Sequence, residues 1–251
     1  NVYIYDPDFD RGEHPGARKR EEMKRDVVYF VKDAPENEEL RYSLRSIEKN
    51  MPGIGNVWFV GGCPDGLTPD KRLEYRQEAD KHKNVKGMIR AAVREKEISE
   101  EFWLFNDDFF IFKKSAVKNY VVGTLWAKVD DLIRRYGIPT AYAERLKKTA
   151  IVLKGMGLDR LSYEGHTPML IDKGKAEIVF QKFDDDLAFR SCYGNFWKEP
   201  AEVRQDVKIL RVDVDVEKHP DLLSTMDETF ADGRVGRYIR RAFPTPSRWE
   251  K

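Results

Sequence analysis

The sequence predicts an α/β fold built on a mostly parallel central sheet flanked by helices. Three observations predict it. Val27-Val28-Tyr29-Phe30-Val31 is a short apolar run, rich in β-formers and bounded by polar residues, as expected of a strand buried on both faces. A helical stretch leads from it to a second such run, Val57-Trp58-Phe59-Val60. Phe102-Trp103-Leu104-Phe105 is a third. Strand, helix, strand in this order opens an α/β sheet with parallel neighbours.

The 251 residues suffice for one large domain, or one domain with a helical insertion. Lys and Arg total 45 and Asp and Glu 44, a net charge of +1 that argues against a wholly basic nucleic-acid sleeve. Charged residues at 35% and apolar ones at 41% describe a folded, soluble chain. No run approaches the roughly 20 apolar residues of a membrane helix, so no membrane partner is expected. No signal-peptide pattern opens the sequence, and a start at Asn1 instead of Met is consistent with a removed upstream segment. Cys63 and Cys192 are too few for a disulfide framework or a four-thiolate zinc site. They leave room for at most one disulfide and fit a reducing, cytoplasmic compartment.

Each element follows in order. Residues 1–25 are polar, rich in Gly, Pro and charge, and read as an arm. After the first strand, Pro35 can open a helix whose buried face is Leu40, Leu44, Ile47 and Met51, and Pro52-Gly53 stops it. Gly61-Gly62 closes the second strand. Residues 69–83 are mostly charged and read as a surface helix, and Val85, Met88, Ile89, Ala92 and Val93 form the apolar face of the next one. The third strand runs into Asn106-Asp107-Asp108, after which Phe109-Phe110-Ile111-Phe112 can be a fourth. Residues 124–157 read as helical with an interruption at Gly137-Ile138-Pro139, and 172–197 as helical with a break near Asp184-Asp185-Asp186. Val207 to Val216 alternates apolar and polar residues and reads as a late, half-exposed strand. A last helix spans roughly 232–242, and its arginines, with Arg248 and Lys251, make a local basic patch for a polyanion.

The strongest chemical feature is Asn106-Asp107-Asp108. Two carboxylates in an apolar stretch are costly to bury unless a cation or strong donors compensate. Mg²⁺ or Mn²⁺ on a diphosphate would do so, and open α/β sheets bind ligands outside the carboxyl ends of their strands. A plain β-turn is the competing reading, because Asn-Asp-Asp favours turns; the hydrophobes on both sides tilt the balance toward a site. Arg41 and Arg45 share one helix face with Asn37 a turn earlier, a pattern that suits phosphates or a solvated, charge-paired face. Gly61-Gly62 either admits a base or sugar to the backbone or is a turn. Lys86 and Arg90 line a polar flank of the next helix, with phosphate and surface roles both open. His166, in a Gly- and Pro-punctuated loop, is a general base, a metal ligand, an acceptor contact or a structural residue. No Walker loop, Rossmann fingerprint or Gly-x-Ser-x-Gly elbow is present.

Asp26-Val27-Val28-Tyr29-Phe30-Val31, Asn37-Glu38-Glu39-Leu40-Arg41 through Arg45, Val57 to Gly62 and Phe105-Asn106-Asp107-Asp108-Phe109 together resemble a group of GT-A type nucleotide-sugar enzymes. Later segments, His166-Thr167-Pro168-Met169, Arg190 to Asn195 and Leu223 to Glu228, resemble further blocks of that group, so the likeness runs over about residues 26–248. Two branches share these blocks: the TET-associated glycosyltransferases of phages, and the Stealth-type sugar-1-phosphate transferases. Gly61-Gly62-Cys63-Pro64-Asp65 and the short length are closer to the first. Thr225-Met226-Asp227-Glu228 departs from the Asn-Asp-Asp usual in the last block of the second.

The resemblance implies a GT-A-like, Rossmann-related sheet with a helical insertion and a helical C-terminal part. It implies a nucleotide-sugar-binding half at 26–114 and an acceptor-binding half at 115–251 after the arm. Asp108 would hold a metal, Mn²⁺ or Mg²⁺, on the donor diphosphate. Asp33, Asn37, Arg41, Arg45, Gly61, Gly62, Asn106 and Asp107 would surround the donor nucleotide, and Lys86 and Arg90 would support its diphosphate. His166, or a carboxylate near Asp227, would deprotonate the acceptor. The implied activity moves a sugar from a nucleotide-diphosphate sugar to a 5-hydroxymethyl-pyrimidine in phage DNA, in the host cytoplasm. A sugar-1-phosphate transferase acting on a polysaccharide, and a non-catalytic nucleotide- or DNA-binding module, are the alternatives.

Overall fold

The structure, a computed structural model, describes residues 24–214 and 221–251. The expected arm therefore lies, but for its last two residues, outside the described residues, as do Asp215 and Val216 of the expected late strand.

The central sheet has five strands in the order β3-β2-β1-β4-β7. These are β1 (Asp26–Val31), β2 (Val57–Gly61), β3 (Lys71–Leu73), β4 (Glu101–Asn106) and, after a long excursion, β7 (Met169–Asp172). The first four run parallel, and β7 pairs antiparallel with β4. Helix α1 (Glu38–Asn50) connects β1 to β2, and α2 (Lys81–Arg94) leads from β3 into β4. Alternation sorts the side chains. Val28, Phe30, Trp58, Val60, Phe102 and Leu104 join a core covered by α2 and the later helices. Val27, Tyr29, Val31, Val57, Phe59 and Phe105 join a second core under α1, with Leu40, Leu44 and Ile47. Each fully buried aliphatic or aromatic side chain contributes about 1.5–3 kcal/mol, so both faces hold the sheet.

The four-helix part between β4 and the C-terminal region is α3 (Leu125–Tyr136), α4 (Ala141–Gly155), α5 (Lys173–Lys182) and α6 (Phe189–Trp197). Thr124 and Thr140 cap α3 and α4 by accepting from Ala127 and Ala143 N–H groups, and Gly137 ends α3 in the left-handed conformation, at the expected interruption. A second sheet, in the order β5-β10-β9, combines β5 (Phe109–Ile111), β9 (Lys208–Ile209) and β10 (Leu222–Thr225). The short strands β6 (Tyr120–Val121) and β8 (Glu202–Val203) pair with each other. Helices α7 (Asp227–Ala231) and α8 (Arg234–Ala242) close the fold. Helix α1 serves β5 directly: Ser43 Oγ donates to Phe109 O, Ser46 Oγ accepts from Ile111 N at 3.0 Å, and Asn50 Nδ2 donates to Ile111 O at 2.7 Å.

Two expectations are corrected. Residues 69–83 are not one surface helix. Lys71–Leu73 adds an edge strand in register with Trp58, Phe59 and Val60, and the helix begins only after Asp80, whose carboxylate caps it. An open sheet edge wins over the charged composition. The late strand is two residues, Lys208–Ile209, because its partner β10 ends at Thr225 and Val212 O instead accepts from the Arg234 N–H of α8. Met169–Asp172 and Leu222–Thr225 are strands that local pattern did not reveal. No helix among the described residues is long and apolar enough to cross a membrane.

Candidate active site

The strand order runs outward from β1 in one direction and from β4 in the other, so the crevice at their carboxyl ends is the expected ligand position. Asn106 ends β4 there, and Asp107 and Asp108 are the turn into β5. The turn and the carboxylate pair are thus one object. Asp108 is 7% exposed; its Oδ2 accepts from Lys208 Nζ at 2.5 Å and from Ser224 Oγ at 2.7 Å. Asp107 accepts from Asn37 Nδ2 at 2.7 Å. Burial, then the adjacent Asp108 charge, pushes the Asp107 carboxyl up to about 6. Glu39, in the first turn of α1, accepts from Thr225 Oγ1 at 2.5 Å. Burial, reinforced by the charges of Asp108, Asp107 and Asp227 and opposed by that hydrogen bond, pushes its carboxyl up to about 8. Glu39 therefore feels three other carboxylates and Asp107 feels Asp108, and Lys208 is the ammonium set against Asp108.

This donor set, as arranged, does not fit a divalent ion. Asp108 Oδ2 is taken by Lys208 and Ser224, and among the described residues no three His, Cys, Asp or Glu side chains converge to hold a metal. The expected metal position is occupied by the protein's own ammonium.

A groove of about 1530 Å³ opens beside the turn. Phe30 and Asn106 line it at the ends of β1 and β4, together with Lys86, His166, Lys208 and Asp227. His166 Nδ1 lies 2.9 and 3.0 Å from the two oxygens of Asp206, and Lys128 Nζ donates to the same carboxylate at 2.7 Å. Burial works against ionisation of Asp206, yet the His166 hydrogen bond, its charge and Lys128 hold the carboxyl far below the usual carboxylate range. The loop carrying His166 is fixed from beneath by Arg190, which donates to Gly165 O at 2.9 Å and to Thr167 O.

The remaining candidates fall in several places. Asn37 caps α1 by accepting from Leu40 N at 2.8 Å while its amide serves Asp107. Asp33 is exposed just past β1. Gly61 has φ +98, and a Cβ on Gly62 would lie 2.4 Å from Lys32 O, so both are required by the close approach of the chain leaving β1. Arg41 and Arg45 engage Glu250, at 3.1 and 2.6 Å, and Arg45 also donates to Phe243 O, so they hold the C-terminal segment. Lys86 donates to Asp184 O at 2.8 Å, and Arg90 pairs with Asp185 at 2.7 Å. Glu39, Asp206, Lys208, Ser224 and Thr225 were not foreseen. Alternation offered one faint signal, since Asp206 and Lys208 sit two apart before an apolar residue.

No family model and no curated protein matches this chain. Among solved structures, similarity is found to the apo-form glycosyltransferase GlyE of Streptococcus pneumoniae TIGR4, with a TM-score of 0.43 and 9% identity over 88% of this chain and 60% of that one. This chain thus matches about three-fifths of the length of GlyE. A second similar structure is 4-diphosphocytidyl-2C-methyl-D-erythritol synthase, with a TM-score of 0.40 and 10% identity over 88% of this chain and 100% of that one.

Proposed function

We propose that this chain is a nucleotide-sugar-dependent glycosyltransferase whose acceptor is a 5-hydroxymethyl-pyrimidine in phage DNA. The observation that carries the reading is the groove at the switch point of the sheet, where Asn106, at the start of the crowded acidic turn, and Lys208, which holds Asp108, share a wall with the His166–Asp206 pair. In this reading 26–114 binds the donor and 115–251 the acceptor. Asp33, Asn106 and Asp107 lie around the nucleotide, and Lys86, which lines the groove, faces the charge that develops on the leaving diphosphate, while Lys208 on the same wall stays on Asp108. His166 takes the proton of the acceptor hydroxyl. The freed oxygen bonds to the anomeric carbon as the bond from that carbon to the diphosphate breaks, and a nucleoside diphosphate leaves. Asp227, on the groove wall, is the second candidate base. No step is assigned to a divalent ion at Asp108, whose oxygen Lys208 occupies.

Lys81, Arg135, Arg145 and Arg204 line the same groove, and Arg234, Arg237 and Arg241 sit on α8. They support a DNA acceptor, with a target base leaving the stack to enter. The test is incubation with hydroxymethylated DNA and a panel of sugar nucleotides, with and without Mn²⁺, read by nucleoside mass spectrometry. A hexosylated nucleoside and released nucleoside diphosphate are expected. Release of a nucleoside monophosphate would instead assign sugar-1-phosphate transfer, and no turnover with any donor would overturn the enzyme reading.

A further inference from the structure

We propose that Asp206 and Lys208 form a single positioning element, in which Asp206 sets the tautomer of His166 and Lys208 holds the Asp108 turn, so that base and donor edge are aligned by one two-residue spacing. The proposal rests on the glycosyltransferase reading for its consequence, and on geometry alone for its construction.

Asp206 and Val207 lead into β9, which begins at Lys208, and the Asp206 carboxylate also accepts from the Lys208 backbone N–H at 3.4 Å. Between Asp206 and Lys208 stands Val207, which points the other way into the core under α1 and is 9% exposed. Its carbonyl accepts from Ser224 N at 3.3 Å, tying the segment to β10. Both neighbours of Val207 line the groove. From this anchored segment one side chain reaches each half of the site: Asp206 to His166 Nδ1 and Lys208 to Asp108 Oδ2. Asp206 also accepts from the His166 backbone N–H at 3.2 Å, so it orients the residue as well as its ring.

A carboxylate can only accept. Its hydrogen bond with Nδ1 keeps the proton on that nitrogen and leaves the Nε2 lone pair free to take a proton. Lys128 completes the clasp, since its ammonium donates to Asp206 Oδ2 and to Glu164 O at 3.0 Å, two residues before His166. The other charged or titratable groups around this cluster are Glu164, whose carboxylate is occupied by Ser191 N and Oγ, the half-buried Arg190, which holds the loop carbonyls, and the half-buried Tyr142. Asp206 is therefore the carboxylate that acts on the ring.

The test uses imidazole ¹⁵N NMR of the full chain, with the His166 signals identified by their loss in His166→Gln. Wild type should show the Nδ1–H tautomer. In Asp206→Asn, the Lys128 ammonium keeps the amide oxygen and turns the amide N–H toward the ring, so the His166 signals should move to the Nε2–H tautomer. With turnover established, kcat should fall about 10- to 100-fold with donor KM within about twofold, and Asp206→Glu should recover part of it. Combined with Lys208→Met, the losses should be less than multiplicative, because each variant already frees one end of the same Asp206–Lys208 segment from its half of the site. An unchanged His166 spectrum in Asp206→Asn overturns the proposal, and so do strictly multiplicative effects. The spectrum needs no turnover. A tautomer change in a protein that transfers no sugar would therefore count against the enzyme reading and leave the positioning element standing. A melting curve on each variant separates loss of fold from loss of alignment.

Discussion

At the N-terminal edge of the central sheet, Asp26 is buried at 3% exposure, and at the C-terminal edge of the same strands lie Asp107 and Asp108. The Asp26 carboxylate accepts from Asn56 N at 2.7 Å, Trp58 Nε1 at 3.0 Å and Ser99 N at 3.1 Å, which ties together the starts of β1, β2 and β4. Gly55 is required because a Cβ there would meet Asp26 Oδ1 at 2.2 Å. At the other edge, burial and the charges of Asp108, Asp107 and Asp227 push the Glu39 carboxyl up, and burial and Asp108 push up that of Asp107. One end is a closed knot of neutral donors; the other keeps like charges together behind Asn106 and Asp227 of the groove wall. Buried acid by itself is structural, whereas acid left mutually repelling at a switch point is the mark of a site.

Four changes break or sharpen this contrast. The largest effect is expected from Asp108→Asn, which releases the turn that Lys208 holds at the donor edge and should cut turnover about 10³-fold, roughly 4 kcal/mol. The lost ion pair is offset by relief of the repulsion with Glu39 and Asp107, so the melting temperature should change little. A variant that turns over normally, or melts early, would place Asp108 with Asp26 as a structural acid. Asp26→Ala should do the reverse. It strands three buried donors and should cost about 3 kcal/mol in denaturant unfolding, with activity per folded molecule unchanged. Lys208→Met removes the ammonium that balances Asp108 and should let titration calorimetry detect Mn²⁺ binding that wild type lacks; no binding would show that the carboxylates are not a latent cation site.

The smallest effect is a pH slope. The folded Glu39 carboxyl titrates at about 8, above its ordinary 4.5, so the fold binds this proton more tightly than the unfolded chain does. Wild-type stability should therefore decline as pH rises from about 4.5 through 8, and Glu39→Gln should flatten the decline, a gain on the order of 1 kcal/mol at pH 8.5 after solvent screening. A wild-type curve that climbs across this window would remove the repulsion on which the contrast rests.

Much of the fold was legible in the chain. The doubly buried strands announce themselves because both faces demand apolar residues, and α1 and α2 carry clear 3.6-residue faces. Lys71–Leu73 was hidden because a short edge strand pairs through its backbone, whatever the charge of its side chains. Within the site, Asn37, the Asn106–Asp108 turn and Asp227 were visible as residue types and are brought near one another. Arg41 and Arg45 looked equally suited to phosphate, but Glu250, more than 200 positions away, takes them. A guanidinium presents the same fork to a carboxylate as to a phosphate, so the helix face alone has no means of telling them apart.

By itself the sequence determined the central layer and the acidic turn at its edge, since alternation, run length and turn chemistry are local and act within a dozen residues. The tertiary structure alone decided what faces that turn. Lys208 reaches Asp108 from 100 positions away, and Asp206 reaches His166 from 40. Those meetings depend on the register of β9 against β10, and register is selected by the packing of both sheets together, not by any short stretch of chain.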